Sequence, residues 1–191
     1  MSEPFIHREH IDPLHPMEPT WQGTITRTVS VPGAERRVLY YVPEHAMAST
    51  SGVVLLPPSG VSAETFLEES GWKNLADTEE RKEKLILCVL ESGPSGWNQQ
   101  EPYGTGDGDV AYIRAACLDF TRRDLFCVHE SRYYLAGYGD GAVLAQMAAM
   151  NDPAFYAGMA CVGGGPVAGD YRLRGGGDWC PVLGGFLGPA H

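Results

Sequence analysis

The sequence predicts an α/β fold built on a mostly parallel sheet, and three observations carry that reading. Continuous apolar runs at 52–56 and 85–90 stop at glycine- and proline-rich loops, as strands buried on both faces do. Stretches with helical spacing separate those runs. A third apolar run, 133–136, passes through a glycine-rich turn directly into 142–150, a strong helix former. Strands alternating with helices call for right-handed crossovers, which place helices on both faces of the sheet.

The elements follow in chain order. Residues 1–20 carry four prolines and three histidines with little periodicity, and read as an extended arm. His7, His10, Asp12 and His15 lie there without a rigid element to hold them, so solvated polar residues explain them better than a metal cluster does. Segments 24–31 and 36–42 bracket a Pro-Gly-Ala turn and predict an N-terminal antiparallel hairpin. The run 52–56 is a buried strand leading into Pro57-Pro58-Ser59-Gly60. Trp72, Leu75 and Ala76 recur at helical spacing before the charged stretch 77–84, and 85–90 is the next strand. A glycine-rich loop over 92–107 precedes the helical pattern Val110, Ile113, Ala116, Cys117 and Phe120. Residues 157–162 form a fourth buried strand ending in Gly163-Gly164-Gly165-Pro166. Residues 21–166 are the expected core. The segment 167–191 is glycine-rich, shows no strand pattern, and is expected to leave the fold incomplete at its C-terminal side, with an apolar last strand open to aggregation or to a partner.

Composition narrows the function. The 191 residues hold 14 Lys plus Arg against 24 Asp plus Glu, a net charge of −10, and 43% are hydrophobic, so disorder is excluded for the core. No run approaches the roughly 20 apolar residues needed to cross a bilayer. The acidic balance repels phosphate backbones and anionic lipid, which speaks against nucleic-acid and membrane partners and for a small neutral or cationic ligand or another protein. The N-terminus has neither the basic nor the apolar region of a secretory signal, so a cytoplasmic location is expected. Cys88, Cys117, Cys127, Cys161 and Cys180 are an odd number with no CxxC, and buried free thiols are the expected state, the alternative being a secreted form with two bridges and one spare thiol. No cofactor or metal is called for.

The chemistry centres on Gly137-Tyr138-Gly139-Asp140-Gly141. A strand, a tight Gly-x-x-x-Gly turn and a helix make a nucleophile elbow, usually written G-x-S-x-G. Gly137 and Gly141 hold the outer places, where a Cβ would strike the neighbouring strand or helix. The central residue, which should be the serine, is Gly139. Glycine adopts a positive φ without steric cost, so the turn keeps its shape while losing the nucleophile. Asp140 follows the nucleophile position, the place whose backbone N–H serves an oxyanion hole.

Order and spacing extend the likeness. Val53-Val54-Leu55-Leu56 with its loop to Gly60, then 70–77, Gly96-Trp97-Asn98, Gly108-Asp109-Val110-Ala111-Tyr112-Ile113 and Tyr133 to Gly137 together resemble the polyhydroxybutyrate depolymerase and feruloyl esterase group of α/β-hydrolases over 25–165. The resemblance implies serine esterases acting on polyester, hydroxycinnamoyl or similar acyl substrates. It also implies a Ser, Asp, His triad in that order and oxyanion donors at Ser59 and Asp140.

Three departures qualify the transfer. The group's His-Gly after this strand is Pro57-Pro58, the nucleophile is Gly139, and only 25 residues follow Pro166. Asp170 and Asp178 are available acids, but the only histidine after the elbow is His191, a poorly pinned base. A split enzyme completed by a second chain, a truncated piece, a pseudohydrolase binding a small acyl or phenolic ester or a protein, and an engineered Ser-to-Gly change all remain open.

Trp97 and Asn98 lie in a loop after a strand's carboxyl end, where open α/β sheets bind ligands. They either line an acyl or aromatic pocket, or Trp97 covers the sheet edge. Gly104 to Asp109 lacks the Lys-Ser/Thr of a P-loop and the distal Glu of an EF-hand, and Asp109 reads as a helix N-cap. His129 and Glu130 precede the elbow strand on the face opposite the expected site and read as surface residues, while His45 lies in a loop after the hairpin with no nearby partner in sequence.

Overall fold

The computed structural model describes residues 22–44, 46, 50–78, 84–98, 108–120, 128–129 and 131–165, together with the backbone of 182–185. The N-terminal arm with its histidines, His45, Gly104 to Asp107, Cys127, Glu130, Asp170, Asp178, Cys180 and His191 lie outside the described residues.

The chain begins with the expected hairpin, β1 (Gly23–Val31) and β2 (Ala34–Val42). Their register closes at Val31 opposite Ala34. The turn is therefore Pro32-Gly33 rather than Pro-Gly-Ala, with Gly33 at φ +77° as the second residue of a Pro-Gly turn demands. Then come β3 (Ser51–Leu56), α1 (Ala63–Glu69), α2 (Trp72–Asp77), β4 (Leu85–Leu90), α3 (Asp109–Phe120), β5 (Tyr133–Tyr138), α4 (Asp140–Asn151), β6 (Gly158–Val162) and β7 (Val182–Gly185). Among the described residues these strands form one sheet in the order β1-β2-β4-β3-β5-β6-β7. The hairpin and the β2–β4 pair are antiparallel; the pairs from β4 through β7 are parallel.

Two elements depart from the sequence reading. Helix α1 went unnoticed because it has one apolar turn, Ala63, Phe66 and Leu67, and its clearest signal is the N-cap Ser62 accepting the Thr65 N–H at 3.2 Å. Strand β7 corrects the expectation that 167–191 holds no strand. Its sequence is only Val-Leu-Gly-Gly, too short and too glycine-rich to show a period of two, and it exists through pairing Met159 to Val162 with Val182 to Gly185.

Helices cover both faces of the sheet. Helices α3 and α4 pack on one face over Tyr40, Val54, Leu56, Ile86, Cys88 and Leu135. Helices α1 and α2 pack on the other over Leu39, Tyr41, Val53, Leu55, Leu87 and Val89. The alternation along β2, β3 and β4 follows from the pleat, which sends successive side chains to opposite faces. Strand β3 is buried at every position, as a central parallel strand must be.

Polar ties hold the hairpin against α3. Arg27 forks onto Asp119 at 2.6 and 3.0 Å, and Arg36 donates to Asp109 at 2.8 Å and to the Glu91 carbonyl at 2.7 Å. The Arg36 guanidinium also lies 4.1 Å from the Tyr112 ring centroid. Cys88, Cys117 and Cys161 are free and buried, and burial pushes each thiol's pKa up. Among the described residues, no helix is long and apolar enough to cross a membrane.

Candidate functional site

Parallel register brings the site together. Leu56 pairs with Gly137, and Tyr138 pairs with Val162, so the carboxyl ends of β3, β5 and β6 finish at one edge of the sheet. There the Pro57–Ser62 loop, the Gly139 turn and Gly163–Gly164 meet.

The elbow has the backbone its glycines predict. Gly139 sits at φ +56° and ψ −125°, a conformation that L side chains rarely adopt, and it caps α4 at its N-terminus. A Cβ at Gly141 would lie 2.3 Å from the Leu56 carbonyl oxygen and 2.6 Å from that of Pro57. At Gly137 it would lie 2.5 Å from both Ala142 Cα and the Gly141 oxygen. These contacts are with backbone, which has nowhere to go. Gly139 is different: its Cβ would meet only Pro58, at 3.6 Å, an ordinary van der Waals distance. The turn therefore has room for a Cβ at position 139, although the residue there has none. Its N–H donates to the Val162 carbonyl at 2.9 Å, fastening the elbow to β6.

Gly164 belongs to the same construction. A Cβ there would lie 2.5 Å from Ala142 Cβ and 2.9 Å from the Gly139 oxygen. The Gly163-Gly164-Gly165 run was the available signal, and its reason is this close approach of the post-β6 chain to the start of α4.

The two positions read as oxyanion donors are adjacent, but in an arrangement the sequence did not reveal. The Ser59 N–H donates to Asp140 Oδ1 at 2.8 Å, and the Ser59 hydroxyl donates to Asp140 Oδ2 in a short contact. The same hydroxyl oxygen accepts the Trp97 N–H at 3.0 Å. Thus the Asp140 carboxylate, eighty-one residues away in sequence, sits on the backbone donor of the β3–α1 loop. Both residues are half-buried.

Trp97 is 6% exposed and belongs to the core, with its indole N–H donated to the Pro57 carbonyl at 2.7 Å. Together with its backbone N–H on Ser59 Oγ, this ties Trp97 to the β3–α1 loop at two points. Asn98 is exposed, and its N–H donates to Asp109 Oδ2 at 2.6 Å. Asp109 is the first residue of α3 rather than its N-cap, and its carboxylate goes to Asn98 and Arg36, neither of which is in the helix. Its capping role is corrected on that ground: the 5% exposed carboxylate fixes the Trp97 loop and the hairpin to α3.

His129 is the only histidine among the described residues. It precedes β5, a strand of six residues, and so lies about 20 Å from the elbow at the strand's other end. Its Nδ1 accepts the Ser131 N–H at 3.2 Å within a local turn. No group of three metal-ligating side chains occurs among the described residues.

No protein-family model matches the chain, and no curated protein sequence matches it. Solved structures do. An acetyl xylan esterase from Aspergillus awamori aligns with TM-score 0.63 at 15% identity, over 79% of this chain and 57% of that one. Poly(aspartic acid) hydrolase-1 from Sphingomonas sp. KT-1 aligns with TM-score 0.59 at 15% identity, over 75% and 57%. The fluorophosphonate-binding serine hydrolase F of Staphylococcus aureus aligns with TM-score 0.58 at 13% identity, over 74% and 57%. At such identities the likeness is one of fold, and the fold is α/β-hydrolase-like. The chain spans just over half the length of these structures.

Proposed function

We propose that this α/β-hydrolase-like chain is of esterase descent, in the depolymerase and feruloyl esterase group, and does not hydrolyse carboxylic esters by itself. One observation carries the proposal: the elbow keeps its shape and its space at position 139, yet places no hydroxyl there. Acyl transfer through an enzyme ester needs a nucleophile at that point, a base within hydrogen-bond reach of it, and free N–H donors for the developing oxyanion. Gly139 supplies no nucleophile and His129 is at the wrong end of β5. The Ser59 N–H is already bonded to a carboxylate.

The experiment is a turnover assay of the full chain on short-chain acyl esters and on feruloyl esters, beside labelling with a fluorophosphonate probe. No turnover above buffer and no label are expected. Turnover that disappears when the Ser59–Gly60 loop is disrupted would overturn the proposal, because the chain would then carry a working site of its own.

A second reading has a specific observation behind it. The elbow, Ser59 and Trp97 remain locked together by hydrogen bonds at the carboxyl ends of the strands, where ligands of such sheets bind. In this reading the chain is a binding module for a small acyl or phenolic ester, or for a protein that completes the fold, such as a second chain or another copy. Native mass spectrometry separates the two occupants: a bound chain in addition to the 20.7 kDa one supports a split or oligomeric assembly. A lone chain whose melting temperature shifts with esters supports the small ligand.

A further inference from the structure

We propose that the Asp140 side chain is a built-in occupant of the oxyanion donor at Ser59, so that the elbow cannot accept an acyl oxygen until that carboxylate is displaced. The inference deepens the reading of an esterase-type elbow given above and rests on it. In that fold an oxyanion hole takes one N–H from the residue after the nucleophile and one from the loop after β3. The corresponding residues here are Asp140 and Ser59. A substrate's carbonyl oxygen would have to reach the Ser59 N–H, and a carboxylate oxygen already lies 2.8 Å from it.

The contact is more than a single bond. Asp140 uses both oxygens, one on the Ser59 N–H and one on the Ser59 hydroxyl. The Ser59 hydroxyl is in turn fixed by the Trp97 N–H at 3.0 Å, and Trp97 is anchored through Pro57. Gly96, at φ +84°, lets that loop approach so closely that a Cβ there would lie 2.9 Å from Ser59 Oγ. Asp140 is also the first residue of α4, where a negative charge is favoured by the helix dipole. The carboxylate is thus held through both of its oxygens, and it places an anionic oxygen on the donor that an acyl oxygen would have to reach.

Displacing it exposes a specific ligand class: small carboxylates and acyl oxyanions. A charge-assisted hydrogen bond on a backbone N–H corresponds to a change of about tenfold to a hundredfold in the affinity of a competitor that must replace it. The test uses the uniformly ¹⁵N-labelled full chain titrated with acetate, read at the Ser59 amide, with hydrogen exchange of that amide as a measurement that needs no ligand.

In the unaltered chain the Ser59 amide is expected to be unmoved by acetate and protected from exchange. In Asp140→Ala it should exchange at least about tenfold faster and shift saturably with acetate, with apparent affinity raised by at least about tenfold. Asp140→Asn, which keeps the shape and loses the charge, should fall between the two and serves if the alanine variant does not fold. An acetate response of equal affinity in the unaltered chain and the variants, or none in any of them, overturns the proposal. The outcomes are separable from those above: ester turnover by the unaltered chain removes the reading of an inactive elbow, whereas an acetate response indifferent to position 140 removes only the role given to this carboxylate.

Discussion

Alanine at Gly141 and alanine at Gly139 are the same chemical change two residues apart, and the structure predicts very different outcomes. At 141 the added methyl lies 2.3 Å and 2.6 Å from two carbonyl oxygens of the β3 end, well inside the 3.0 Å below which Cβ contacts are essentially never found. The atoms it meets are backbone in a parallel ladder, so relief requires α4 to move away from β3. Overpacking that cannot be absorbed by a side chain costs about 3 kcal/mol or more. At 139 the methyl meets Pro58 at 3.6 Å, so the cost is only the backbone strain of a side chain at φ +56°, about 1–3 kcal/mol. With a urea dependence of about 2 kcal/mol per molar, Gly139→Ala should lower the unfolding midpoint by about 0.5–1.5 M. Gly141→Ala should lower it further or abolish the cooperative transition. Tryptophan fluorescence reads both, since buried Trp97 sits against the affected loop. Equal midpoints, or a milder effect at 141, would refute the view that the outer glycines are required by close backbone approach while the central one is not.

Other consequences are measurable on the same protein. Gly139→Ser should lower the urea midpoint at least as far as Gly139→Ala, because it carries the same backbone strain at φ +56° and adds an atom beyond a Cβ already 3.6 Å from Pro58; a midpoint clearly above that of Gly139→Ala would contradict this. Asp119→Ala removes the acceptor of both Arg27 bonds and should cost about 1–3 kcal/mol, or a fall of several degrees in Tm by calorimetry, with no change counting against the tie between β1 and α3. Burial raises the hydroxyl pKa of Tyr40, Tyr41 and Tyr112 above the ordinary 10.0, so the unfolded chain releases those protons first. The stability this confers is complete below pH 10 and is lost as pH rises further; urea midpoints at pH 8 and 10.5 should show the decline, and a flat profile would contradict it. Native Cys88, Cys117 and Cys161 should react with a thiol reagent at least about tenfold more slowly than the same thiols in urea, since burial suppresses the thiolate.

Much of the sheet was legible because its central strands have no alternative. Runs such as Val53-Val54-Leu55-Leu56 and Leu85 to Leu90 are apolar on both faces and short, which suits only a strand covered by helices on either side. The elbow was legible for a local reason: strand, two spaced glycines and helix follow one another within a few residues. Where the signal was weak, the sequence reading failed. Strand β7 is four residues long and half glycine, and only the open edge of β6 makes it a strand. Asp109 looked like a cap because it opens a helix, yet its carboxylate is held by Arg36, brought from the hairpin seventy-three positions away.

The architecture and the glycine-spaced turn around residue 139 are legible along the chain, because hydrophobic period and turn glycines are local properties. What the neighbouring groups do follows instead from the folded arrangement. Which carboxylate lies on which N–H depends on the register that sets Leu56 beside Gly137, and through it on the meeting of Ser59 with Asp140. No pattern along the chain records a contact between residues eighty-one positions apart, since it is formed by strand pairing and by the angle at which α4 leaves the turn. Whether the central glycine has room for a Cβ depends in the same way on where Pro58 comes to rest once β3 and β5 are paired.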